Sequence, residues 1–492
     1  MLLSAAFAAL SLSASAALAR QFPEFDGVVG AVPSSPAVNP KSAVDDLLAQ
    51  QRPKTTPGHL RGVVENSGIC ETTPGVYQAS GYGDIAANKS IWFWFFEARN
   101  NPETAPLVAW FNGGPGSSSM IGLFQELGPC RIQNDSTTVE PNPNSYTDFT
   151  NVIFVDQPVG VGFSYGTEEV GTSQAAAEDV WTFFQIWFND SRFSKYKQRN
   201  FGIWTESYGG HYGPTFAAHF LRQNAAIDRG AVKGTKINLG YLAIGDGLTD
   251  PLLQYPGFIT YAKTNRYHPL VNDSVLEAGK TAFYSSGGCR DQIAACYKTS
   301  EDKICSAAQG FCNGNVLDPL AGDWDVYYVL TPNPDPYPPD MTPYLTNSTI
   351  TSAIGAQSTF QFTNFDVYSN FAATGDWMHN SRPLLEEVIN AGVRTHVFDG
   401  DADYILNFYG VEAMVDALQT KFAATYARQD FANYTVNGVP AGIFKNAGTF
   451  SYLRVFGAGH EVPAYEWPGV PRGAAALQMF TQVMSNKPLS GT

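Results

Sequence analysis

Basic residues are scarce in this sequence and do not cluster. Of its 492 residues, 30 are Lys or Arg and 45 are Asp or Glu, which gives a formal net charge of −15 at pH 7. Charged residues make up 15% of the chain, whereas about a quarter is usual for globular domains. Since no basic run or patch occurs, we expect no nucleic-acid partner. An acidic surface also loses its self-repulsion as the pH falls, which fits a protein that works below neutral pH.

Long apolar stretches are missing after the first 19 residues. Residues 1–19, MLLSAAFAALSLSASAALA, are apolar and small and end in an A-x-A sequence before Arg20. This pattern predicts a secretory signal peptide, and the alternative is an N-terminal membrane anchor. No later stretch reaches the roughly 20 apolar residues that a membrane span needs, and the C-terminal SNKPLSGT is too polar for a lipid-anchor signal. We therefore expect no membrane partner and a secreted, extracellular protein, with a vacuolar or lysosome-like compartment as the alternative.

Glycosylation sequons of the Asn-x-Ser/Thr type agree with passage through the secretory route. The sequence has six of them, which begin at Asn88, Asn134, Asn189, Asn272, Asn347 and Asn433. A few would occur by chance, but this number favours secretion. Each is therefore a predicted glycosylation site.

Cysteines are few but even in number, at six, and in a secreted chain disulfides are their default state. Six, eight and six residues separate Cys289, Cys296, Cys305 and Cys312. A hairpin would pair Cys289 with Cys312 and Cys296 with Cys305, which leaves Cys70 for Cys130. The alternative is a metal site made of the four clustered cysteines, but no CxxC motif or nearby histidine supports it. We expect no metal.

Apolar runs bounded by turn residues alternate with helical stretches after about residue 60. The runs are IWFWFF, PLVAWFN, NVIFVDQP, FGIWTES, NLGYLAIGDG, RTHVFDGDAD and YLRVFGAGH. Strands that alternate with helices form a mostly parallel sheet with helices on both faces, so we predict an α/β fold. Residues 20–60 are interpreted as an N-terminal arm or a pro-segment, and residues 61–492 as one domain. Within it, the region of about 255–370 breaks the alternation and is predicted to be an insertion that caps the sheet.

One apolar run ends abruptly in small and polar residues, FGIWTESYGGHYGP (residues 201–214). A strand followed by two glycines permits a sharp turn that exposes Ser207 as a nucleophile, although Thr205 stands where the G-x-S-x-G pattern has its first glycine. A serine hydroxyl needs a base, and that base needs a carboxylate to orient it. His460 follows the run YLRVF in a Gly-lined loop and is the candidate base. His211 lies on the helix after the serine and would point back along that helix.

Two loops can supply the carboxylate. Their acidic residues are Asp399, Asp401 and Asp403 in VFDGDADYILN, and Asp246 and Asp250 in AIGDGLTDP. Either loop keeps the chain order Ser, Asp, His of an α/β hydrolase. The fold usually supplies its acid from the strand just before the histidine strand, which favours the 399–403 loop.

Seven motifs together resemble the serine carboxypeptidases, the family of carboxypeptidase Y and the secreted fungal acid carboxypeptidases. They are WFNGGPGSSS, ELGP, DQPVGVGFSY, TESYGGHYGP, GLTDP, GDADYILN and GAGHEVP, in the family's order between about residues 81 and 463. The resemblance implies an α/β-hydrolase fold for residues 61–492. It also implies release of C-terminal amino acids from peptides and proteins at acidic pH, without a cofactor. The oligomeric state stays open.

The resemblance implies a catalytic role for five residues. Ser207 matches the nucleophile, His460 the general base and then acid, and Asp403 the orienting carboxylate. The oxyanion hole maps to the backbone N–H groups of Gly114 and Tyr208, and each such donor is worth about 3–4 kcal/mol in comparable hydrolases.

A second set of residues is implied to bind the C-terminal carboxylate of the substrate. Asn112, Gly113 and Glu206 match the family's carboxylate site, and Glu126 would share a hydrogen bond with Glu206. Two adjacent carboxyls cannot both ionise cheaply, so one pKa is expected to rise. A neutral Glu206 donates to the substrate carboxylate, whereas an ionised one repels it.

Four positions depart from the family's pattern. Thr205 could crowd the turn at the nucleophile, and Ser117 stands where relatives often have Cys. Asp246 replaces a frequent Asn, and no role follows from the sequence. Glu461 stands where some relatives have Met, and we hypothesise that it favours a basic leaving residue. Two alternative functions stay open: an acyltransferase or esterase on the same scaffold, and an inactive relative that serves as a binding partner.

Overall fold

A computed structural model describes residues 54–492, and the α/β prediction is confirmed there. The predicted signal peptide, and the predicted arm up to residue 53, lie outside the described residues. No helix within residues 54–492 combines the length and the apolar character that crossing a membrane requires.

The core of the structure is a 12-stranded sheet, beside which lies a separate two-stranded ribbon of β5 and β6. The strands are β1 (His59–Glu65), β2 (Gln78–Ala86), β3 (Lys89–Phe96), β4 (Leu107–Phe111), β5 (Cys130–Ile132), β6 (Val139–Pro141), β7 (Asn151–Val155), β8 (Tyr165–Gly166), β9 (Phe201–Glu206), β10 (Leu239–Gly245), β11 (Arg394–Gly400), β12 (Ala432–Val436), β13 (Val439–Ala447) and β14 (Phe450–Val455). The order in the sheet is β1-β2-β3-β7-β4-β9-β10-β11-β14-β13-β12, and β8 pairs with β3. From β7 to β14 the neighbouring strands are parallel, and antiparallel strands complete both edges.

Helices cover both faces of this sheet. The α-helices are α1 (Ser173–Asn189), α2 (Gly209–Asp228), α3 (Pro251–Thr264), α4 (Asp273–Tyr284), α5 (Cys289–Thr299), α6 (Asp302–Cys312), α7 (Asp318–Ala321), α8 (Thr342–Leu345), α9 (Ser348–Ile354), α10 (Phe365–Thr374), α11 (Arg382–Asn390), α12 (Phe408–Asp416), α13 (Ala423–Tyr426) and α14 (Ala474–Met484). In β3, Phe93 and Phe95 join the core that contains α1 and α2, and Trp92 and Trp94 join the core that contains α14. Side chains alternate across a strand, so a strand that is covered on both faces is apolar throughout.

The segment between β10 and β11 contains helices α3 to α11 and no strand of the sheet. Two disulfides, Cys289–Cys312 and Cys296–Cys305, join α5 to α6 as a helical hairpin. The third disulfide joins Cys70 to Cys130. These are the pairs that the spacing predicts, and the sulfur atoms are therefore not available to a metal ion.

Four neighbouring parallel strands end at one edge of the sheet, and this edge positions the site. Ser207 follows β9, Asp246 follows β10, Asp403 lies beyond the end of β11, and His460 lies beyond the end of β14. Because the carboxyl ends of parallel strands meet at the same edge, residues far apart in sequence come together there.

Candidate active site

The turn after β9 holds Ser207 in a strained backbone conformation. Its φ of 64° lies in the left-handed region, which is uncommon for residues other than glycine. The Ser207 amide donates to Gly245 O at 2.9 Å, and the Ser207 carbonyl accepts from the amides of Gly210 at 2.9 Å and Leu248 at 3.1 Å. A Cβ on Gly210 would lie 2.4 Å from the backbone of Leu248, so this close contact requires glycine. The backbone bonds thus fix the turn that presents the serine side chain.

Thr205 does not crowd this turn. Its buried Oγ1 can donate a hydrogen bond to Gly209 O, 2.9 Å away, or to Ala243 O, 3.2 Å away. Two glycines make the room for it, because an added Cβ would lie 2.5 Å from Thr205 Cβ at Gly209 and 2.9 Å from Thr205 Oγ1 at Gly213. The threonine therefore ties the end of β9 to the first turn of α2.

Asp403 and His460 form a buried hydrogen-bonded pair. His460 Nδ1 lies 2.9 Å from Asp403 Oδ2, and the two side chains are 4% and 0% exposed. Asp403 also accepts from the amides of Ile405 at 3.1 Å and Leu406 at 3.2 Å. Burial raises the pKa of Asp403, while the His460 ring and these amides oppose the rise. The pair can hold one imidazole tautomer, with Nδ1 turned to the acid and Nε2 turned away from it.

The reactive atoms of Ser207 and His460 line one cleft. Ser207 Oγ and His460 Nε2 are both buried, and neither has a hydrogen-bond partner within residues 54–492. A hydroxyl and an imidazole nitrogen that share a cleft can carry out nucleophilic attack with general-base assistance. In the absence of substrate, catalytic hydrogen bonds are often long or poorly aligned.

Gly113 packs directly against the nucleophile turn. A Cβ at this position would lie 2.3 Å from Tyr208 N and 2.8 Å from Ser207 Cβ. The next residue, Gly114, has a φ of 103°, which favours glycine, and precedes a cis proline. A side chain at position 113 would therefore collide with the Tyr208 amide beside Ser207, so glycine is required there.

The Asn112 side chain is held in one orientation. Its Oδ1 accepts from Trp110 Nε1 at 2.6 Å and from the Gly122 amide at 3.0 Å. Its Nδ2 donates to Glu206 Oε1 at 3.1 Å. Since both bonds at the oxygen come from fixed donors, the NH₂ group is directed to Glu206 and the cleft.

Glu126 and Glu206 are two buried carboxyls that influence each other. Glu126 ends the π-helical turn Gly122–Glu126, and Glu206 ends β9; they are 0% and 2% exposed. Burial raises the pKa of Glu126 to about 7. Burial and the neighbouring Glu126 carboxyl raise the pKa of Glu206 well above its ordinary range. In acidic solution Glu206 is therefore neutral and can donate a hydrogen bond.

The cleft has a volume of about 470 Å³, and the insertion forms one of its walls. The Pro-rich sequence TPNPDPYPPD contributes Pro334, Asp335, Pro336, Tyr337, Pro338 and Asp340 to this wall. The cleft is also lined by six residues from the loops at the edge of the sheet, namely Asn112, Gly113, Gly114, Glu206, Ser207 and His460. The cleft therefore brings a nucleophile, a base and a carboxyl–amide pair together in a space of peptide size.

A comparison with known protein families finds one that covers this whole site. The profile described as serine carboxypeptidase matches residues 68–486.

The chain belongs to the serine carboxypeptidase family.

Fungal members of the family are similar to this carboxypeptidase over most of its length. Carboxypeptidase S1 of Penicillium janthinellum is 43% identical over 432 residues, which cover 87% of this chain and 100% of the relative. Carboxypeptidase Y of Komagataella phaffii is 36% identical over 401 residues, with coverages of 80% and 73%. The chain is thus a serine-type carboxypeptidase of the carboxypeptidase Y-like group, as the motifs indicate.

A solved structure supports the fold. The crystal structure of Kex1Δp, a prohormone-processing carboxypeptidase from Saccharomyces cerevisiae, has a TM-score of 0.69 and 20% sequence identity. The match covers 89% of this chain and 96% of that chain. The predicted α/β-hydrolase fold is therefore confirmed.

The other acidic residues that the sequence singles out have structural partners in this carboxypeptidase. Asp399 accepts from Tyr452 Oη at 2.8 Å, Asp401 accepts from the Gly457 amide at 2.7 Å, and Asp250 pairs with Arg382 at 2.9 Å. His211 lies behind the nucleophile turn, where its Nδ1 is 2.7 Å from Ser381 Oγ. Burial lowers the pKa of His211 to about 4.

Asp156 was not singled out from the sequence, but it holds the loop that follows Gly113 and Gly114. Asp156 is fully buried and accepts from Ser118 Oγ at 2.6 Å, from the Ser119 amide at 2.9 Å and from the Phe163 amide at 3.0 Å. Burial raises its pKa to about 6, against these hydrogen bonds. Asp156 begins the motif DQPVGVGFSY, which could have drawn attention to it. The motif alone does not show which loop the Asp156 carboxylate contacts.

The remaining departures from the family's pattern cause no visible disruption. Ser117 stands where a cysteine is frequent, and its Oγ lies 3.4 Å from Thr363 Oγ1. Glu461 lines the cleft beside His460. Asp246 lies against Asp403, which the sequence did not suggest.

Proposed function

We propose that this protein is a secreted, glycosylated serine carboxypeptidase that removes single residues from peptide C-termini, most efficiently at acidic pH. One observation carries the proposal: the buried Glu206 carboxyl receives an N–H from Asn112 at 3.1 Å and lines the same cleft as Ser207 and His460. A neutral carboxyl here can donate to the terminal carboxylate of a substrate. That contact selects the last peptide bond for attack, because it fixes the chain end at a set distance from the serine.

The mechanism that we propose uses the chain's own groups alone. Ser207 Oγ attacks the last peptide carbonyl while His460 Nε2 takes the hydroxyl proton, and Asp403 holds the imidazole at Nδ1. The amides of Gly114 and Tyr208 donate to the oxyanion that develops. His460 then gives its proton to the leaving nitrogen, the C–N bond breaks, and the free amino acid departs.

The second half of the reaction regenerates the enzyme. Water attacks the acyl ester on Ser207 while His460 takes one of its protons. The tetrahedral intermediate collapses, the ester C–O bond breaks, and His460 returns the proton to Ser207 Oγ. The shortened peptide is released with a new C-terminal carboxylate.

The carboxylate site accounts for the proposed acidic optimum. Asn112 Nδ2, the Gly113 amide and the Glu206 carboxyl are the proposed donors to the substrate carboxylate. Burial raises the pKa of Glu126 to about 7, and burial and the Glu126 carboxyl raise the pKa of Glu206 well above its ordinary range, so the pair ionises around and above neutral pH. An ionised pair repels a second carboxylate, and affinity for peptides should fall there.

Secretion is proposed from the sequence together with the surface of the molecule. Residues 1–19 are the proposed signal peptide, and residues 20–60 the proposed arm or pro-segment. The catalytic domain then comprises residues 61–492, with a cap at about 255–370. All six sequon asparagines are exposed, which supports their glycosylation, and a vacuolar location is the alternative.

The test compares two substrates over a pH range. We would measure kcat/KM from pH 4 to 9 on a blocked dipeptide and on its C-terminal amide, with Ser207→Ala as the inactive control. We expect a strong preference for the free acid at acidic pH that shrinks above pH 7. Equal cleavage of the amide or of a simple ester at every pH would instead favour an esterase or acyltransferase. Failure of a fluorophosphonate to label Ser207 would favour an inactive binding relative.

A further inference from the structure

Asp246 is a buried carboxyl directly behind the proposed triad. It follows β10, is 0% exposed and has a φ of 40°. Its amide donates to Phe398 O at 2.8 Å, and its Oδ1 accepts from the Gly400 amide at 2.9 Å. Both partners belong to β11, so the backbone of the neighbouring strand fixes the direction of the Asp246 carboxyl.

This carboxyl faces the triad acid and base. One carboxylate oxygen of Asp246, one of Asp403 and one ring nitrogen of His460 lie within 4.8 Å of one another. Asp246 Oδ2 is buried and has no hydrogen-bond donor within residues 54–492. Asp403 Oδ2, by contrast, already faces His460 Nδ1 at 2.9 Å. The imidazole is therefore committed to Asp403, and no cation from the described part of the chain pairs with Asp246.

The wider surroundings of Asp246 are acidic as well. Asp399 from β11 and Glu206 from β9 interact with it electrostatically. Burial, followed by the nearby Asp403 and Asp399, raises the pKa of Asp246 well above its ordinary range. Several buried carboxylates cannot all ionise around a single imidazole, so one must keep a proton. Asp246 is the candidate because no hydrogen-bond donor among residues 54–492 stabilises a charge on its Oδ2.

We propose that Asp246 is a positioning residue: its protonated Oδ2 donates a hydrogen bond to Asp403 and thereby holds Asp403 against His460 Nδ1. The inference rests on the proposed triad. An asparagine at this position could donate its N–H at any pH, whereas an aspartate donates only while it keeps its proton. The aspartate therefore couples the alignment of the triad to acidic conditions.

A protonated Asp246 in the folded state makes the free energy of unfolding depend on pH in a definite direction. An unfolded Asp ionises near pH 4, whereas folded Asp246 keeps its proton to higher pH. Between these two pKa values the folded state binds one proton more than the unfolded state, so the contribution of Asp246 to stability falls as the pH rises. Asp246→Asn removes this dependence because the amide does not titrate.

The experiment measures the thermal midpoint Tm between pH 4 and 8 for the wild type and for Asp246→Asn. We expect the two Tm values to be similar near pH 4 and the variant to become progressively more stable than the wild type at higher pH. The matched control is Asp250→Asn, in the same loop, which loses an ion pair with Arg382. This control should be less stable than the wild type at neutral pH. A wild type that is more stable than Asp246→Asn at pH 7 would mean that Asp246 is ionised, and would overturn the proposal.

Kinetics test the positioning role separately. At pH 5, Asp246→Ala removes the donor to a buried charged group, so we expect kcat to fall about 10- to 100-fold with little change in KM. Asp246→Asn should recover kcat to within about threefold of the wild type. If Asp246→Ala retains full kcat while Ser207→Ala is inactive, the Asp246 proposal fails and the proposed function stands. If Ser207→Ala is active, the proposed function itself fails. If Asp246→Ala does not fold, the Tm comparison with Asp246→Asn still decides whether the carboxyl is neutral.

Discussion

Replacing Glu206 by Gln tests whether a neutral acid binds the substrate carboxylate. Gln keeps the shape and can donate an N–H, but it cannot ionise. In the wild type, KM should begin to rise near pH 7, where the pKa of Glu126 lies, and approach a tenfold rise per pH unit once Glu206 also loses its proton. Each tenfold step corresponds to about 1.4 kcal/mol. Two unit charges 4 Å apart at an effective dielectric constant of 20 repel by about 4 kcal/mol, which limits the total loss to about a thousandfold.

The assay determines kcat and KM separately from pH 5 to 9 on a blocked dipeptide. We expect Glu206→Gln to lose about tenfold in kcat/KM at pH 5, because an amide replaces the stronger acid donor, and to show a flatter KM above pH 7. Glu461→Gln is the matched control in the same cleft. It should keep the slope and move its onset to lower pH, since the charge of Glu461 helps to raise the pKa of Glu206. A wild-type KM that does not change from pH 5 to 9, or an equal slope in Glu206→Gln, would refute the reasoning.

Three further predictions follow from the geometry. Asp403→Asn should lower kcat by about 10³–10⁴-fold with KM nearly unchanged, because the imidazole loses its orienting charge; steady-state kinetics at pH 5 check this, and a loss below tenfold would contradict it. Gly113→Ala should lower kcat by about 10²–10³-fold, because its Cβ would lie 2.3 Å from Tyr208 N, the proposed oxyanion donor; Gly314→Ala, whose Cβ meets nothing within 4 Å, should be active. Replacing both Cys70 and Cys130 by Ala should lower the free energy of unfolding by about 4 kcal/mol, since the bridge closes a loop of 60 residues; urea unfolding measures it, and an unchanged midpoint would contradict the expectation.

Local patterns in the sequence predicted the elements that carry the site. IWFWFF and FGIWTE form strands, as their continuous apolar character indicates, because helices cover both faces of the sheet. The cysteine spacing predicted a hairpin with two nested disulfides, and the structure shows that the hairpin is helical. These features depend on neighbours in sequence, and composition and spacing are sufficient to identify them.

Contacts between residues that are far apart in the sequence were harder to predict from it. The sequence left open whether Thr205 crowds the turn at Ser207, and the structure shows that Gly209 and Gly213 make room for it. Asp156 was unassigned although its motif was recognised, because two of its three hydrogen-bond donors, Ser118 Oγ and the Ser119 amide, lie on a different loop. The buried, acidic surroundings of Asp246 could be identified only from the structure, which shows that β10 pairs with β11.

The sequence by itself determined that the chain alternates strands and helices, that a strand ends just before Ser207, and that the chain order is Ser, Asp, His. Tertiary structure decided which of five candidate aspartates faces His460 and which of the others lies behind it. The physical reason is that periodicity specifies how a strand is buried but not which strand lies beside it. Only the order β9-β10-β11-β14 brings the four carboxyl ends together at one edge.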